Sequence, residues 1–399
     1  MAATVENADI RSAFTASFSR DRYDRFLHDL DTRLGVPTAF RVSETPLFLS
    51  REFTEELATA AGEIVHLLRS PDFVRHAGSA LPPGTSFPRQ DAHPVMLQID
   101  FGITQDDEGA YRPQLIELQG FPSLYCYQAY YEDVLREHFE IPSGLSTYFN
   151  GLSRAAYLRN LKEIVVGDND PSEAVLLEIH PEEQKTRIDF AATEKLLGVR
   201  TVCITKIRRK GRDLYYDRDG RETRIRRVYN RVVFDEPNRK KPAVEFSFQD
   251  DLDVTWVPHP SWYYRISKHT LPFLRSTYVP SCMLLSDVDR IPKDLSEYVL
   301  KPLFSFAGGG VVMDVTEGDI MNVTDRSVWI LQKKVRYAPF VPTEDEPSKA
   351  EIRLMYLWNN EPLLATNLVR MSKGRMMGVD FNKDRTWVGS SAAFAPSIA

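Results

Sequence analysis

Cysteine, long apolar runs and excess basic charge are all scarce in this chain of 399 residues. The three cysteines, Cys126, Cys203 and Cys282, are far apart, which excludes a disulfide framework and a Cys-x-x-Cys metal site. No run of about 18 apolar residues occurs, so we expect no membrane span and no membrane partner. Fifty basic residues against 56 acidic ones give a net charge of −6, which argues against a nucleic-acid partner.

The overall composition is that of an ordinary soluble globular protein. Hydrophobic residues make up 43% and charged residues 27% of the chain, whose length allows two or three domains. The N-terminal segment carries acidic residues and no apolar stretch, so it does not resemble a secretory signal, and we expect a cytoplasmic protein. The sequence leaves a homodimer open.

The hydropathy pattern divides the chain into four predicted regions. Apolar residues recur every three or four positions in 8–35 and 50–70, which predicts helices there. The C-terminal third consists mostly of short apolar strands, which favours an antiparallel sheet with helices on one face. The fold class predicted is α/β in the α+β sense. The regions are 1–94 (helical), 95–160 (a strand hairpin and following helices), 161–255 (a central α/β domain) and 256–399 (the strand-rich region).

The central region contains a strand–helix–strand unit. The runs EAVLLEIH and VRTVCIT predict strands, and the segment between them predicts a helix that ends at Gly198. A unit of this length favours a right-handed crossover between parallel strands. The polar segment 235–243 is the predicted linker or exposed loop.

A glycine-rich loop follows a strand that carries a lysine. The segment VLKPLFSFAGGGVV places Lys301 on the first strand and Gly308, Gly309 and Gly310 in a loop that returns into a second strand. Consecutive glycines let the backbone approach phosphate oxygens, and the lysine supplies a compact positive charge. The loop is not a Walker motif, because neither Gly-Lys-Ser/Thr nor a helix follows it. The alternative is a hairpin in which the glycines serve only the turn.

Two carboxylates interrupt apolar strands near residue 100. Asp100 lies in VMLQIDFGI and Glu117 in RPQLIELQGF, and the polar segment TQDDEGAY between the runs predicts a hairpin. Carboxylates in such strands are costly unless a cation or a metal pairs with them. If the strands pair, the two carboxylates could bind Mg²⁺ jointly with nucleotide phosphates. The alternative is that one or both side chains point to solvent.

Basic residues cluster in 206–212 and 224–231, and the second cluster also contains Tyr229. Since the net charge is negative, we favour a solvated strand face or a site for an anionic substrate over nucleic-acid binding. Tyr229 and Arg231 are candidate substrate-binding residues, because arginine binds carboxylates in a bidentate manner. The alternative is a strand edge with outward-pointing charges.

Taken in order, these segments resemble the circularly permuted group of the ATP-grasp superfamily, which includes glutathione synthetase and glutathionylspermidine synthetase-like carboxylate–amine ligases. The usual ATP-grasp order places the lysine strand and glycine loop before the metal-binding strands. Here IDFGITQDDEGAYRPQLIELQGF comes first, and the lysine loop follows about 180 residues later. The resemblance implies antiparallel nucleotide-binding sheets and a central strand–helix–strand substrate domain. It covers residues 95–125 and 262–390 best.

The resemblance also implies a set of ligand-binding residues. ATP and Mg²⁺ are the implied cofactors, and Gln119 stands where the family has asparagine. The implied metal ligands are Asp100, Glu117 and Gln119. The implied nucleotide-binding residues, from RISKHTLPF, the lysine loop and WILQKKV, are Lys268, Lys301, Gly308, Gly309, Gly310, Gln332, Lys333 and Lys334.

The chemistry implied is amide-bond formation between a small-molecule carboxylate and an amine. ATP phosphorylates the carboxylate, and the amine then attacks the acyl phosphate. By resemblance, EIRLMYLW and the strand after it supply Arg353 and Arg370, which with Lys301 form the implied catalytic set, while Asn382 in GVDFNKDRTWVG joins the substrate candidates. The alternatives are a nucleotide-binding protein without ligase activity and a phosphotransferase that uses the same site.

Overall fold

The computed structural model describes residues 4–233, 242–304, 309–378, 382 and 384–398. No helix in these ranges is long and apolar enough to span a bilayer. The helices are α1 (Ala8–Ser17), α2 (Arg20–Thr32), α3 (Arg51–Leu68), α4 (Pro71–Gly78), α5 (Tyr125–His138), α6 (Arg154–Val165), α7 (Arg187–Leu197), α8 (Trp262–Arg265) and α9 (Glu317–Met321). The strands are β1 (Leu47–Phe48), β2 (Met96–Gln105), β3 (Tyr111–Gln119), β4 (Leu145–Ser146), β5 (Ala174–Glu178), β6 (Arg200–Cys203), β7 (Arg208–Lys210), β8 (Asp213–Arg218), β9 (Arg221–Ile225), β10 (Arg227–Asn230), β11 (Thr255–Val257), β12 (Cys282–Leu284), β13 (Tyr298–Pro302), β14 (Trp329–Lys333), β15 (Pro339–Val341), β16 (Ser348–Trp358), β17 (Pro362–Ser372), β18 (Gly389–Ser391) and β19 (Ala393–Pro396).

The predicted helix over 50–70 is present as α3. Ser50 caps its N-terminus, because the Ser50 side chain accepts a hydrogen bond from the backbone N–H of Phe53 at 3.1 Å. Phe53, Leu57 and Ile64 recur along one face of the helix and are fully buried. The helix therefore forms one wall of the apolar core beneath the main sheet.

The main sheet is antiparallel and joins two distant parts of the chain. Its strand order is β18-β17-β16-β2-β3, and β15 pairs with β16 at the side. The predicted hairpin is confirmed, since β2 and β3 pair around the turn at 106–110. β2 also pairs with β16, some 250 residues later in the chain. The sheet thus places the carboxylate-bearing hairpin beside the arginine-bearing strands.

The two faces of this sheet differ in chemistry because successive residues of a strand point to opposite sides. Along β2, Leu97, Ile99 and Phe101 belong to the core that contains α3. Gln98 and Asp100 alternate with them and lie on the other face. Polar and charged side chains therefore lie together on one face of a buried sheet.

The predicted parallel crossover is also confirmed. The central sheet has the strand order β11-β10-β5-β6, and its strand pairs are parallel. Helix α7 connects β5 to β6 and ends at Gly198, whose φ of +77° favours glycine. The order reverses between β5 and β10, which is the position at which open α/β sheets commonly bind ligands.

A small antiparallel sheet, ordered β12-β14-β13, carries the predicted lysine strand. The strand predicted after the glycine loop is reduced to one bridge between Leu300 and Val312. Thr316 soon caps helix α9, which ends the extended segment. Two further small sheets, β1-β19-β4 and β7-β8-β9, complete the architecture. Most of the predicted linker at 235–243 lies outside the described residues.

Candidate functional site

The polar and charged side chains of this face lie closest together where β2 pairs with β16. Asp100 lies directly across from Arg353 on one side and from Glu117 on the other. Arg353 donates Nε to Asp100 Oδ1 and Nη2 to Asp100 Oδ2, each at 2.6 Å. Both side chains are buried, so this bidentate pair offsets a charge that would otherwise be costly in the interior.

A second arginine binds the same carboxylate. Arg370 Nη2, on β17, donates to Asp100 Oδ2 at 2.7 Å and also to Glu351 Oε1. Burial alone would lower the pKa of Arg370, but Glu351 and Asp100 raise it above its usual value. Gln98 Oε1 accepts from Arg353 Nη1 at 3.0 Å. The two predicted catalytic arginines are therefore neighbours, held by buried acceptors.

Glu117 stands at the edge of this group and faces the predicted nucleotide lysines. Its Oε2 lies 3.6 Å from Lys268 Nζ, and its Oε1 accepts from Gln119 Nε2 at 2.6 Å. Burial alone would raise the pKa of Glu117, yet four cations lower it to about 2, so the carboxylate is ionised at neutral pH. In order of effect, these cations are Lys268, Arg370, Arg353 and Lys301.

Lys301 reaches the same group from the small sheet. It lies on β13 across from Ile330 of β14. Burial lowers the pKa of Lys301, whereas the negative charge of Glu117 raises it. A pocket opens beside Glu117, and Gln119, Lys268 and Phe304 are among the residues that line it. The site therefore lies between the main sheet and the lysine strand.

The glycine loop is only partly described. Gly308 lies outside the described residues, whereas Gly309 and Gly310 follow directly after the gap. Gly310 has a φ of +72°, and a Cβ at that position would approach Pro302 Cγ to 3.1 Å. Gly310 therefore needs to be glycine for both backbone and steric reasons. The role of the three glycines in phosphate binding stays a prediction.

Gln332 is the most unusual of the predicted nucleotide-binding residues. It lies in the middle strand of the small sheet, between Val299 and Cys282. The side chain is buried, and neither Nε2 nor Oε1 has a hydrogen-bond partner among the described residues. Such an amide is costly unless a ligand satisfies it. Lys333 is exposed, and Lys334 Nζ lies 3.7 Å from Asp314.

The predicted substrate residues Arg231 and Tyr229 lie at the carboxyl edge of the central sheet. The Arg231 guanidinium is 5.0 Å from the ring centre of Phe121, donates to the carbonyl of Pro122 and lies 3.4 Å from Thr186 Oγ1. Phe121 also lines the pocket beside Glu117, which connects Arg231 with the main site. The Tyr229 hydroxyl is buried within the core without a hydrogen-bond partner in the described ranges.

Asn382 has a structural function that the sequence did not indicate. Its Oδ1 accepts from Ser372 Oγ at 2.9 Å and from the backbone N–H of Lys373 at 3.2 Å and of Gly374 at 3.3 Å. Its Nδ2 donates to the carbonyls of Met376 and Gly378. The amide is thus occupied in stabilising the turn after β17, which leaves it little capacity to bind substrate.

Sequence reasoning missed three members of the site, namely Gln98, Glu351 and Tyr337. Gln98 and Glu351 each lie two residues before a predicted site residue, so the period of two in a strand could have placed them on the same face. Tyr337 gave no such signal, because it follows β14 in a segment without regular periodicity. Its hydroxyl donates to Glu351 Oε2 at 2.6 Å.

The side chains fit Mg²⁺ only in part. Glu117 is ionised and lines a pocket, and Gln119 keeps a carbonyl oxygen beside it, so both offer the oxygen ligands that Mg²⁺ prefers. Asp100 does not fit, because both of its oxygens accept hydrogen bonds from arginine. Elsewhere in the described ranges, the one group of three His, Cys, Asp or Glu ligand atoms within 4.8 Å of one another is formed by His180, Glu182 and Glu183.

The comparisons with known proteins bear on the fold. No protein-family profile and no curated protein matches the chain. Among solved structures, a glutathione synthetase-like effector from Globodera pallida, in its apo form, has a similar fold. The two share 12% of their residues with a TM-score of 0.55, over 98% of this chain and 100% of that chain. The chain is thus a mixed α/β protein of several sheets, and its fold resembles that of this effector over nearly its whole length.

Proposed function

We propose that this protein is an ATP-dependent carboxylate–amine ligase on a circularly permuted ATP-grasp fold. The observation that carries the proposal is the convergence of four cations on one carboxylate. Lys268 Nζ lies 3.6 Å from Glu117 Oε2, and Arg353 and Arg370 bind Asp100, which lies directly across the strands from Glu117. These three cations and Lys301 come from separate segments, and all four lower the pKa of Glu117. An array of cations around a metal-type carboxylate suits a polyphosphate and the phosphoryl group in transfer.

The proposed role of each residue follows from its position. The side-chain amide of Gln332, which has no hydrogen-bond partner among the described residues, would hydrogen-bond the adenine of ATP. Lys268 and Lys301 would neutralise charge on the phosphates. Arg353 and Arg370 would face the negative charge that develops as the phosphoryl group moves to the substrate carboxylate. Glu117 and Gln119 would hold Mg²⁺, which supplies charge neutralisation on the phosphates when bound.

The remaining steps depend on how the two substrates are positioned and on the exclusion of water. In this proposal, the chain binds carboxylate and amine close together, so that the acyl phosphate meets the amine before it meets water. Arg231, on the far side of Phe121, would bind an anionic group of the small-molecule substrate. Removing one cationic contact is expected to lower turnover by on the order of 10²–10³.

A nucleotide-binding protein without ligase activity is the second candidate. Two observations favour it, namely that arginines occupy both oxygens of Asp100 and that Gln119 donates to Glu117. Both contacts reduce the number of oxygen ligands open to Mg²⁺. Nucleotide binding without turnover would support this candidate.

The proposal is tested by Mg²⁺-dependent ADP formation with a panel of carboxylates and amines. Wild type is compared with Lys301→Ala and Glu117→Gln, and with Lys293→Ala as a control at an exposed lysine. We expect turnover that needs both substrates, is lost in the first two variants and is retained in the control. An amide product in the mass spectrum separates a ligase from a phosphotransferase. Absence of nucleotide binding to the wild type would contradict the proposal.

A further inference from the structure

We infer that Asp100 positions the two catalytic arginines, Arg353 and Arg370, and does not bind a metal ion. Together with Asp100, Glu351 and Tyr337 fix the position of the Arg370 side chain. This inference relies on the proposed function for the identity of the group that the arginines bind. It assigns positioning roles to two residues that the sequence did not single out, and it changes the role expected for Asp100.

The first argument comes from the hydrogen bonds of Asp100. Its Oδ1 accepts from Arg353 Nε, and its Oδ2 accepts from Arg353 Nη2 and Arg370 Nη2, at 2.6 to 2.7 Å. The side chain is fully buried within the sheet. A cation that bound Asp100 directly would have to displace at least one of these charge-assisted hydrogen bonds and would leave a buried arginine short of an acceptor.

The second argument comes from Arg370. Its Nη2 donates to both Asp100 and Glu351, so two carboxylates hold one end of the guanidinium. Its Nε is buried and has no partner in the described part of the chain. An unpaired buried donor on a cation favours an anionic ligand. The carboxylates therefore hold Arg370 by one edge and leave another donor for the group in transfer.

The third argument concerns Tyr337, which orients Glu351. Burial and the neighbouring Glu351 raise the pKa of Tyr337 well above its usual value, so the hydroxyl stays protonated and donates to Glu351 Oε2. Burial also raises the pKa of Glu351, against the opposing effect of Arg370. The two oxygens of Glu351 thus have different partners, Tyr337 and Arg370, which orients the carboxylate.

The decisive test separates holding an arginine from binding a metal. We compare Asp100→Asn with Glu117→Gln, using Mn²⁺ and ADP as the probes and electron paramagnetic resonance to measure Mn²⁺ affinity. Asp100→Asn is expected to keep the wild-type affinity, whereas Glu117→Gln loses about tenfold or more. Equal losses in the two variants would show that Asp100 is a ligand and would overturn the inference.

Steady-state kinetics provide a second readout that a purely structural role would not move. Asp100→Asn is expected to lower kcat by about 10²-fold and to leave the KM for ATP unchanged. Tyr337→Phe removes one hydroxyl, and we expect a smaller fall in kcat, about tenfold, again with unchanged KM. A rise in KM for ATP with unchanged kcat in both variants would contradict the positioning role.

A double-mutant cycle keeps the inference testable if the wild type does not form an amide. Unfolding equilibrium constants are measured for wild type, Asp100→Asn, Arg370→Gln and the double variant. We expect the effects to be non-additive by about tenfold or more, because the two side chains are in contact. Additive effects would overturn the inference. If the wild type shows no turnover but the coupling between Asp100 and Arg370 is present, only the proposed function is contradicted.

Discussion

The ring of Tyr337 lies directly against Gly102 of strand β2. A Cβ at Gly102 would come within 2.7 Å of Tyr337 Cε1 and 3.0 Å of Ile116 Cδ1. Gly102 is also paired across the strands with Glu351, the residue that accepts the Tyr337 hydrogen bond. Glycine is therefore needed at this position for a side chain to lie across the sheet and reach the site.

Gly102→Ala is accordingly expected to displace Tyr337 and to destabilise the protein by about 1–3 kcal/mol. Turnover should also fall, because Glu351 loses its hydrogen bond from Tyr337. Urea unfolding and kcat measure the two effects. Gly62→Ala, at an exposed position in α3 with nothing within 4 Å of the added Cβ, serves as the control and is expected to stabilise by about 0.5–1 kcal/mol. Equal behaviour of the two variants would contradict the prediction.

Gln332→Leu is predicted to stabilise the fold and weaken nucleotide binding. Neither amide atom of Gln332 has a partner in the described residues, so an apolar side chain of similar size removes a desolvation cost of about 1–3 kcal/mol. Nucleotide affinity should fall, because the proposed adenine contact is removed. Thermal unfolding and calorimetric titration with ADP measure the two effects.

Gln128 in α5 provides the matched control for Gln332. It is also buried with both amide atoms unpaired within the described ranges, but it belongs to a helix that carries none of the predicted nucleotide ligands. Gln128→Leu should raise stability in the same way and leave ADP affinity unchanged. If both variants lose affinity equally, Gln332 has no special relation to the nucleotide.

Acidification is expected to destabilise the segment that carries Lys268 through its neighbour His269. Burial, with a smaller contribution from His76, lowers the pKa of His269 from 6.5 to about 4. Between these values the unfolded chain binds more protons than the folded one, so stability falls as pH decreases. The effect of His269 amounts to about 2 kcal/mol between pH 7 and pH 5. His269→Gln should remove this component from urea unfolding, whereas His28→Gln, at an exposed position, should not.

A separate acid effect is predicted for Glu117 at lower pH. Its folded pKa of about 2 lies below the ordinary value of 4.5, so its contribution to stability is present above pH 4.5 and is lost as pH falls towards 2. From pH 6 to pH 3 this loss amounts to about 2 kcal/mol. Glu117→Gln should reduce the acid dependence of unfolding. Glu55→Gln, on the exposed side of α3, is the control, and a Glu117 variant that kept the full dependence would show that the four cations do not act on this carboxylate.

Several elements could be predicted because their determinants are local. The β2–β3 hairpin follows from two apolar runs around a polar turn, and α3 follows from its apolar period. The crossover through α7 follows from its length and from Gly198. The prediction of a return strand after the glycine loop was wrong, because a single bridge forms before Thr316 caps the next helix.

The sequence by itself indicated several of the charged residues of the site, among them Asp100 and Glu117, and placed them in apolar strands. The sequence left open whether Asp100 points to solvent, and only the resemblance to a known family indicated Arg353. Only the tertiary structure decided that β2 lies beside β16 and that Arg370 reaches the same carboxylate. Such pairings join residues more than 250 positions apart, and they depend on which strands become neighbours when the shared core is buried. For that reason the sequence suggested a metal ligand at Asp100, whereas the folded chain pairs it with two arginines.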